Sequence, residues 1–380
     1  MPAADVADGT VDRPLTAGGP ATGRAHSARN AETPRRPCGP DRDLERIERV
    51  KKQAIAVFAA ILAGTPLTAA RPATATEPAL APSKAHAEAE LRVGRFASRN
   101  PGSVNTYWIQ APEGLILIDT LRTLTDARQA LARIRDAGQP VVAVLLTHAH
   151  PDHVGGAGIF HRAFPQAPIY ASEASARAMR EDRRGLYELT RSLPGSDFPQ
   201  KLTYPDKVFR AGATLTIAGM TVRTAEFPGA ESDAATVYYE PRSRSLFPGD
   251  LLGNRVTPAL VEGHSCGWLI QLGRLRTSYR AAEVAYPGHG APALALDLIA
   301  RQQAYIKHFR HLVKPVVRTN SPAGRRVTRT ERRAVIAAME RAYPGHPRVA
   351  SLPTLMEENV KAVAAEMASA RPADLPRICR

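Results

Sequence analysis

The stretch Thr147–His153 reads THAHPDH and places three histidines and one aspartate within seven residues. The 380-residue chain has 11 histidines in all, so a chance match to this pattern has a probability on the order of 10⁻³. Histidine and carboxylate side chains at this density are typical of a metal site. The alternative is that these residues only cap a helix or lie on the surface without a ligand.

The residues before the motif predict how it is presented. Val141–Leu146 is a short apolar, β-branched run that predicts a buried strand. Alternate side chains of an extended chain point the same way, so His148 and His150 can converge on one ion. Pro151 then turns the chain and lets the last two residues of the motif reach a neighbouring point. The motif is therefore expected at a strand end, next to a loop.

Composition and charge limit the classes of function. The length allows one large domain or two small ones, and the formal net charge is +15. The arginines are scattered, with a denser set in 301–333, which indicates a solvated surface; we expect a small-molecule substrate rather than nucleic acid. The three cysteines, Cys38, Cys266 and Cys379, have no metal-ligand spacing and predict no disulfide framework.

The N-terminal region differs in composition from the rest. Residues 1–49 have no periodic apolar pattern and predict a disordered segment or a wrongly assigned start. Residues 50–75 begin with basic residues, continue through an apolar run that is too short to span a bilayer, and end in small residues, as a signal peptide does. A buried helix is the alternative. With a linker at 76–90, we expect a periplasmic or secreted protein whose mature chain has no membrane span.

From residue 91 onward, strand and helix patterns alternate in two similar halves, which predicts an α/β fold. VNTYWIQ and GLILIDT predict two strands around a turn at 112–114, and 121–137 has helical spacing. Further strands are predicted at 168–170, in 209–227 with a break at Gly219, at 236–239 and at 245–247. Helices are predicted at 330–342 and 355–368.

The motif HAHPDH followed by two glycines resembles the metallo-β-lactamase superfamily. The resemblance covers roughly residues 91–313. It implies a four-layer αββα sandwich with a metal site at one edge, and it leaves 314–380 as a C-terminal helical extension. It also implies three further ligands downstream, each at a strand end.

Two of these ligands have clear candidates. Tyr286–Gly290 reads YPGHG and is similar to the terminal motif of the family, which makes His289 a ligand. The same four residues recur with His346, but that copy follows a helical segment and is interpreted as its capping turn. Asp250, after the strand residues LFPG, matches the bridging carboxylate; a simple turn aspartate is the alternative.

The remaining ligand departs from the family pattern. Most members carry P-G-H-T before a T-V-V-Y strand, whereas aligning the TVYY of 236–239 with that strand puts Glu231 in the histidine position. Alkylsulfatases of the same superfamily use a glutamate in a similar context. The alternatives are that the site has lost a ligand and binds one metal or none, or that Asp233 substitutes.

The resemblance thus implies two divalent ions, zinc in the first place with iron or manganese as alternatives. His148, His150 and Glu231 would hold one ion, Asp152, His153 and His289 the other, and Asp250 would lie between them. A hydroxide bridging the metals would then hydrolyse an ester, thioester, lactone, β-lactam or sulfate-ester bond, with Asp152 orienting it or receiving its proton. Arg255 and His264 are candidate substrate contacts. The alternative function is a non-hydrolytic metal-binding protein or an iron-dependent redox protein of the same superfamily.

Overall fold

The computed structural model of the chain describes residues 91–193, 195–317 and 327–380. The segments predicted as a disordered or mis-assigned start, a signal peptide and a linker lie outside the described residues. None of the described helices combines the length and hydrophobicity needed to cross a bilayer.

The described strands form two six-stranded sheets. In the first sheet, β1 to β3 pair antiparallel and β3 to β6 pair parallel, in chain order. Its strands are β1 (Val93–Ala97), β2 (Asn105–Ala111), β3 (Gly114–Ile118), β4 (Val141–Leu145), β5 (Ile169–Ser172) and β6 (Lys207–Phe209). The predicted hairpin at 112–114 and the buried strand before the histidine motif are therefore present.

The second sheet has the order β12-β11-β10-β9-β8-β7. All its neighbours pair antiparallel except β10 and β11, which run parallel. Its strands are β7 (Thr214–Ile217), β8 (Met220–Glu226), β9 (Thr236–Glu240), β10 (Ser245–Gly253), β11 (Val284–His289) and β12 (Ala293–Leu294). The predicted break at Gly219 is the β7–β8 turn, where the glycine has a φ of +73°.

The helices divide between the outer faces of the two sheets. Those that follow strands of the first sheet are α1 (Leu124–Arg135), α2 (Pro151–Val154), α3 (Ala157–Ala163), α4 (Glu173–Glu181) and α5 (Leu186–Ser192). Those on the second sheet are α6 (Ser265–Ser278), α7 (Ala295–Val313), α8 (Arg329–Ala342) and α9 (Leu355–Ser369).

Three buried apolar clusters define the layers. Ile109 and Leu145 of the first sheet pack with Tyr238 and Phe247 of the second, which forms the layer between the sheets. A second cluster joins α1, α3 and α4 to the outer face of the first sheet, and a third joins α6 to α9 to the outer face of the second. The predicted αββα sandwich is confirmed.

The two C-terminal helices were predicted at 330–342 and 355–368 and lie within one residue of those limits. Helix α8 begins with a capping box, in which Thr328 and Glu331 each bond the other's backbone N–H. Val335 of α8 and Val360 of α9 belong to the same buried cluster as Trp268 of α6. The C-terminal helices therefore share a hydrophobic core with the second sheet.

The cysteine spacing predicted no disulfide framework, but two of the three cysteines form a disulfide. Cys266, at the start of α6, is bonded to Cys379, with Cα atoms 5.2 Å apart. The two residues are 113 positions apart in sequence, and only the packing of the C-terminal segment against α6 brings them together. Cysteine spacing along the chain could not show a pairing that depends on tertiary contacts.

Candidate metal centre

The histidine motif begins where β4 ends and is joined there to the second sheet. The backbone N–H of Thr236 donates to the carbonyl of Thr147 at 2.8 Å, and His148 forms a single β-bridge with Ala235. Pro151 begins the short helix α2, where its missing N–H costs nothing. The strand end thus projects the first two histidines towards the loop that carries Glu231, and α2 carries the last two polar residues of the motif.

The first cluster of donor atoms consists of His148, His150 and Glu231, and we call it the Glu231 group. His148 Nε2 lies 3.5 Å from Glu231 Oε2, and His150 Nδ1 lies 3.0 Å from Glu231 Oε1. The side chains of His148 and Glu231 are 1% and 2% exposed, and that of His150 is 12% exposed. The glutamate therefore occupies the position in which the sequence comparison expects a histidine.

The second cluster consists of Asp152, His153, Asp250 and His289, and we call it the Asp250 group. The Asp250 carboxylate lies between two histidines: Oδ1 is 3.2 Å from His153 Nε2, and Oδ2 is 3.2 Å from His289 Nε2. Asp152 Oδ2 is 3.3 Å from the same His289 nitrogen. In each group, the donor atoms lie within 4.8 Å of one another.

Hydrogen bonds on the far side of the rings select the free nitrogen in the Asp250 group. His289 Nδ1 lies 2.8 Å from the carbonyl oxygen of Gly102, which can only accept, so Nδ1 carries the hydrogen. His153 Nδ1 is likewise 2.8 Å from a carboxylate oxygen of Asp119. A neutral ring has one N–H, so in both residues Nε2 is left with a lone pair that points into the group.

The same logic applies to the Glu231 group. Thr147 Oγ1 donates to Asp119 Oδ2 at 2.8 Å and accepts from His148 Nδ1 at 3.0 Å, which leaves His148 Nε2 free. His150 is oriented the other way round, because its Nε2 lies 2.9 Å from Glu262 Oε1 and its Nδ1 faces Glu231. In their neutral form, which a bound cation would favour, all four imidazoles therefore present an unprotonated nitrogen to the cluster.

Several of these inward-facing atoms are buried and lack a hydrogen-bond partner among the described residues. They are His148 Nε2, His153 Nε2, His289 Nε2, both carboxylate oxygens of Glu231 and Asp250 Oδ1. Buried polar atoms without partners are costly, and converging nitrogen and oxygen donors of this kind are satisfied by a cation. The residues present thus fit two divalent metal ions, one in each group.

The Asp250 group depends on a close approach between the backbone of β11 and the side chain of Asp250 in β10. A Cβ atom on Gly288 would lie 1.8 Å from Asp250 Oδ1, so only glycine leaves room for the carboxylate. Gly249 has a φ of +54°, a conformation that favours glycine, and its Cα faces the side chain of Thr147. The P-G-H and P-G-D sequences therefore set the distance between β10 and β11 at the site.

Burial and mutual charge shift the pKa values of the cluster in opposite directions. Burial lowers the pKa of His148 well below its usual value, and the neighbouring His153 and His150 lower it further. Burial also lowers the pKa of His289, but Asp250 and Asp152 outweigh it and raise the pKa to about 10. Burial raises the pKa of Glu231, because its carboxylate is removed from water. A bound cation would favour the ionised carboxylates and the neutral imidazoles.

A cavity of about 210 Å³ opens beside the Glu231 group. His150 and Glu262 form part of its wall, and Tyr187 of α5 closes one side by donating to the carbonyl of Ala149 at 2.6 Å. Three arginines also line it: Arg177 of α4, and Arg183 and Arg184 of the segment between α4 and α5. The cavity provides a route from solvent to the donor atoms.

The other candidates from the sequence lie outside the two groups. The ring of His346 stacks on Tyr305, 6.4 Å between centroids, after the end of α8. His264 Nε2 lies 2.9 Å from Asp233, whose side chain is 55% exposed, and 3.8 Å from Glu262 at the edge of the cavity. Arg255 is exposed, and the substrate roles of Arg255 and His264 stay predictions.

Two residues of the site were not identified from the sequence. Asp119 accepts from the backbone and side chain of Thr147 and from His153, so one buried carboxylate orients the whole start of the motif. Asp119 is the last residue of the segment GLILID and directly follows β3, which pairs with β4. A carboxylate at the end of this strand was the sequence feature that could have indicated its role. Glu262 bonds His150 across 112 residues of sequence, and no local pattern indicates that contact.

Comparison with known proteins gives a consistent result. The model of the metallo-beta-lactamase superfamily matches residues 99–290. A linear primary-alkylsulfatase from Pseudomonas sp. is 27% identical over 221 residues, which cover 48% of this chain and 41% of that protein. An atrochrysone carboxyl ACP thioesterase from Cryptosporiopsis sp. is 26% identical over 205 residues, which cover 52% of this chain and 54% of that protein. The chain thus spans about half the length of these relatives.

Solved structures agree at the level of the fold. A beta-lactamase domain protein from Burkholderia ambifaria superposes with a TM-score of 0.53 at 18% sequence identity, over 73% of this chain and 85% of that protein. At this level of sequence identity the match supports the fold and not a shared function.

Proposed function

Because the chain belongs to the metallo-beta-lactamase superfamily, we propose that it is a metal-dependent hydrolase that holds one divalent ion in the Glu231 group and one in the Asp250 group. The observation that carries the proposal is the orientation of the four imidazoles. Each has one nitrogen bonded on its outer side, and the other faces a buried carboxylate of the cluster.

When bound, two divalent ions lower the pKa of a shared water and polarise the bond to be cleaved. The protein's own part is to hold the donors and to handle the proton. Asp152 Oδ2 faces His289 Nε2 at 3.3 Å, which leaves its Oδ1 to orient the attacking water and to receive its proton. The cavity beside His150 admits the substrate, and the buried walls around the Asp250 group exclude bulk water.

Zinc is the metal that we propose first, because imidazole nitrogen and carboxylate oxygen are ligands that it accepts readily. The glutamate changes the charge of the site. Three carboxylates, from Glu231, Asp250 and Asp152, oppose two divalent ions, whereas a histidine at 231 would leave only two. A more negative site tolerates harder ions such as manganese or iron better.

We also propose that the protein works outside the cytoplasm. The disulfide between Cys266 and Cys379 is a bond that persists in oxidising compartments. The sequence of residues 50–75 has the pattern that predicts a signal peptide, and this prediction is independent of the disulfide.

Sulfate esters are the first substrate class to test. Glu231 stands in a sequence context similar to that of alkylsulfatases, and a linear primary-alkylsulfatase is among the relatives. Thioesters follow, since another relative is a thioesterase. Lactones and β-lactams complete the panel that the superfamily resemblance implies.

The test combines metal content with hydrolysis. Protein purified without chelator is measured by mass spectrometry beside Glu231→Ala and Glu231→His, and each is assayed on the panel. We expect two metal equivalents in the unaltered chain, one in Glu231→Ala with loss of hydrolysis, and two in Glu231→His with a shift in preference towards zinc. One equivalent or none in the unaltered chain, without hydrolysis, would favour a binding or redox role instead.

A further inference from the structure

His150 depends on a different part of the chain from the other three histidines. Its Nε2 bonds Glu262 Oε1 at 2.9 Å, and the Glu262 side chain is 5% exposed. The acceptors for His148, His153 and His289 come from β-strand ends and their adjoining turns. Glu262 instead lies in the loop before α6, at the wall of the cavity.

We infer that Glu262 is a positioning residue that fixes the ring of His150 through Nε2 and so presents Nδ1 to the metal of the Glu231 group. The inference rests on the proposed function, because it assumes that the Glu231 group binds a metal. Glu262 does not touch the reacting atoms in this arrangement, and it acts only through His150.

The ring of His150 needs such a partner. At 12% exposure it is the most accessible histidine of the two groups, and it borders an open cavity rather than packed core. A histidine in that position can exchange tautomers, because either nitrogen can carry the single hydrogen. A carboxylate that accepts from Nε2 selects the tautomer with a free Nδ1 and raises the basicity of that nitrogen as a ligand.

Glu262 is itself held in place by charge and by its neighbours. Arg184 Nε lies 3.3 Å from Glu262 Oε1, and an Arg184 Nη donates to the Glu262 carbonyl at 3.4 Å. The carboxylate thus lies between an arginine and an imidazole. This arrangement offsets the cost of burying its charge.

The loop around Glu262 is attached to the C-terminal helix α9 on both sides. Before it, Asn359 accepts from the N–H of Leu260 at 2.7 Å and donates to the carbonyl of Pro258 at 2.8 Å. After it, Glu366 accepts from the N–H groups of Ser265 at 2.9 Å and Cys266 at 2.8 Å. These bonds span about 100 residues of sequence and fix the backbone from which Glu262 projects.

A positive charge also balances Glu366 at the point where α9 contacts this loop. Arg310 of α7 bonds Glu366 at 3.1 Å and the carbonyl of Cys379 at 2.8 Å. The disulfide to Cys379 reinforces the same point of contact. The C-terminal segment therefore contributes to the metal centre through Glu262, although it supplies no ligand.

Metal-free protein is titrated with zinc against a competing chelator, comparing the unaltered chain with Glu262→Gln and Glu262→Ala. We expect both variants to weaken one metal equivalent by about 10- to 100-fold and to leave the other unchanged, because only His150 loses its partner. Cobalt substitution gives a second readout, in which the absorption bands of one equivalent shift. Circular dichroism and Tm of the metal-free variants establish that the fold is retained.

Glu181→Gln is the matched control. Glu181 is a carboxylate in the wall of the same cavity that pairs with Arg183 and not with His150, so its removal should leave both equivalents unchanged. Titrations of Glu262→Gln that coincide with the unaltered chain, or an equal loss in both equivalents, would overturn the inference alone. An unaltered chain that binds no metal would overturn the proposed function as well.

Discussion

The Glu231 group and the Asp250 group contain similar side chains, but the protein supports them differently. The rings of the Asp250 group are oriented by Asp119 and by the carbonyl of Gly102, both next to strands of the first sheet. In the Glu231 group, His150 is oriented by Glu262, from a loop that is attached to the C-terminal helix. The Asp250 group therefore depends mainly on the sandwich, although the N–H of Ala350 also donates to the Gly102 carbonyl at 2.9 Å. The Glu231 group depends in addition on α9, through the loop that carries Glu262.

This difference indicates which residues of the metal centre can vary within one fold. Asp250 lies in β10 and His289 ends β11, where the hydrogen-bond ladder fixes the backbone, so this half of the Asp250 group has little freedom to change. A loop residue such as Glu262 is fixed by contacts that the rest of the fold does not require. Glu231, the unusual candidate ligand, belongs to the group with the external support. We therefore expect perturbations to separate the two groups, and the following variants are ordered by their effect on metal affinity.

The largest effect is expected from Gly288→Ala. The added methyl group would lie 1.8 Å from Asp250 Oδ1, and the carboxylate must swing out of the Asp250 group. We expect loss of that metal equivalent and a fall in activity of more than about 100-fold, beyond what loss of a supporting residue causes. The atoms that must move are at the end of the Asp250 side chain and not in the backbone, so the free energy of unfolding should fall by only about 1–3 kcal/mol. Metal titration and chemical denaturation measure the two quantities.

Gly273→Ala provides the control for that substitution. Gly273 lies within α6, and a Cβ there would have no heavy atom within 4 Å. Replacing a helical glycine by alanine should stabilise the protein by about 0.5–1 kcal/mol and leave both metals in place. If Gly288→Ala retained two metals at full affinity, the close approach of β11 to Asp250 would not be a requirement of the site.

An intermediate effect is expected from Asp119→Asn. An amide can accept one hydrogen bond in place of the carboxylate but presents an N–H to the second donor, so His153 Nδ1 or Thr147 loses its acceptor. We expect the Asp250 group to lose about 10- to 100-fold in metal affinity. His148 contacts Asp119 only through Thr147, so the Glu231 group should change less. The same titration is repeated in a chain that also carries Glu231→Ala, which is expected to bind metal only in the Asp250 group. It therefore shows which of the two metal equivalents belongs to which group.

Equal weakening of both equivalents in Asp119→Asn would show that the start of the motif behaves as one unit. The comparison between the groups would then reduce to the single contact of His150 with Glu262. Weakening confined to the Glu231 group would contradict the tautomer assignment of His153.

Sequence patterns predicted those parts of the molecule that depend on short-range order. The alternation of strands and helices and the strand before the motif follow from local patterns of apolar residues. The four polar residues of the motif also lie close together in sequence: His148, His150, Asp152 and His153. Asp250 and His289 required the additional knowledge of a family pattern, and the structure brings them to the motif together with Glu231. That these seven residues bind metal stays a prediction from chemistry and geometry.

The parts that sequence patterns missed are long-range pairs. Glu262 meets His150 across 112 residues, and Cys266 meets Cys379 across 113. Both pairs exist because α9 and the chain end pack against α6 and the loop before it. No spacing rule encodes such contacts, since they depend on the relative placement of whole helices.

The smallest effect on metal affinity is expected from the double variant Cys266→Ser and Cys379→Ser. The disulfide closes a loop of more than 100 residues, so its loss should lower the free energy of unfolding by about 2–5 kcal/mol. The loop carrying Glu262 nevertheless keeps its bonds to Asn359 and Glu366. We therefore expect less than a 10-fold loss in the affinity of the Glu231 group and none in the Asp250 group.

Thermal unfolding and zinc titration of the double variant, beside the unaltered chain with and without reductant, separate the two consequences. A lower Tm with nearly unchanged affinity would mean that the hydrogen bonds of α9 suffice to place Glu262, and that the disulfide serves global stability. A loss of the Glu231 equivalent comparable with that of Glu262→Gln would instead make the covalent link part of the support for His150. Since the acceptors that orient His153 and His289, Asp119 and the Gly102 carbonyl, do not come from α9 or Cys379, a loss there under either condition would contradict the division into two separately supported groups.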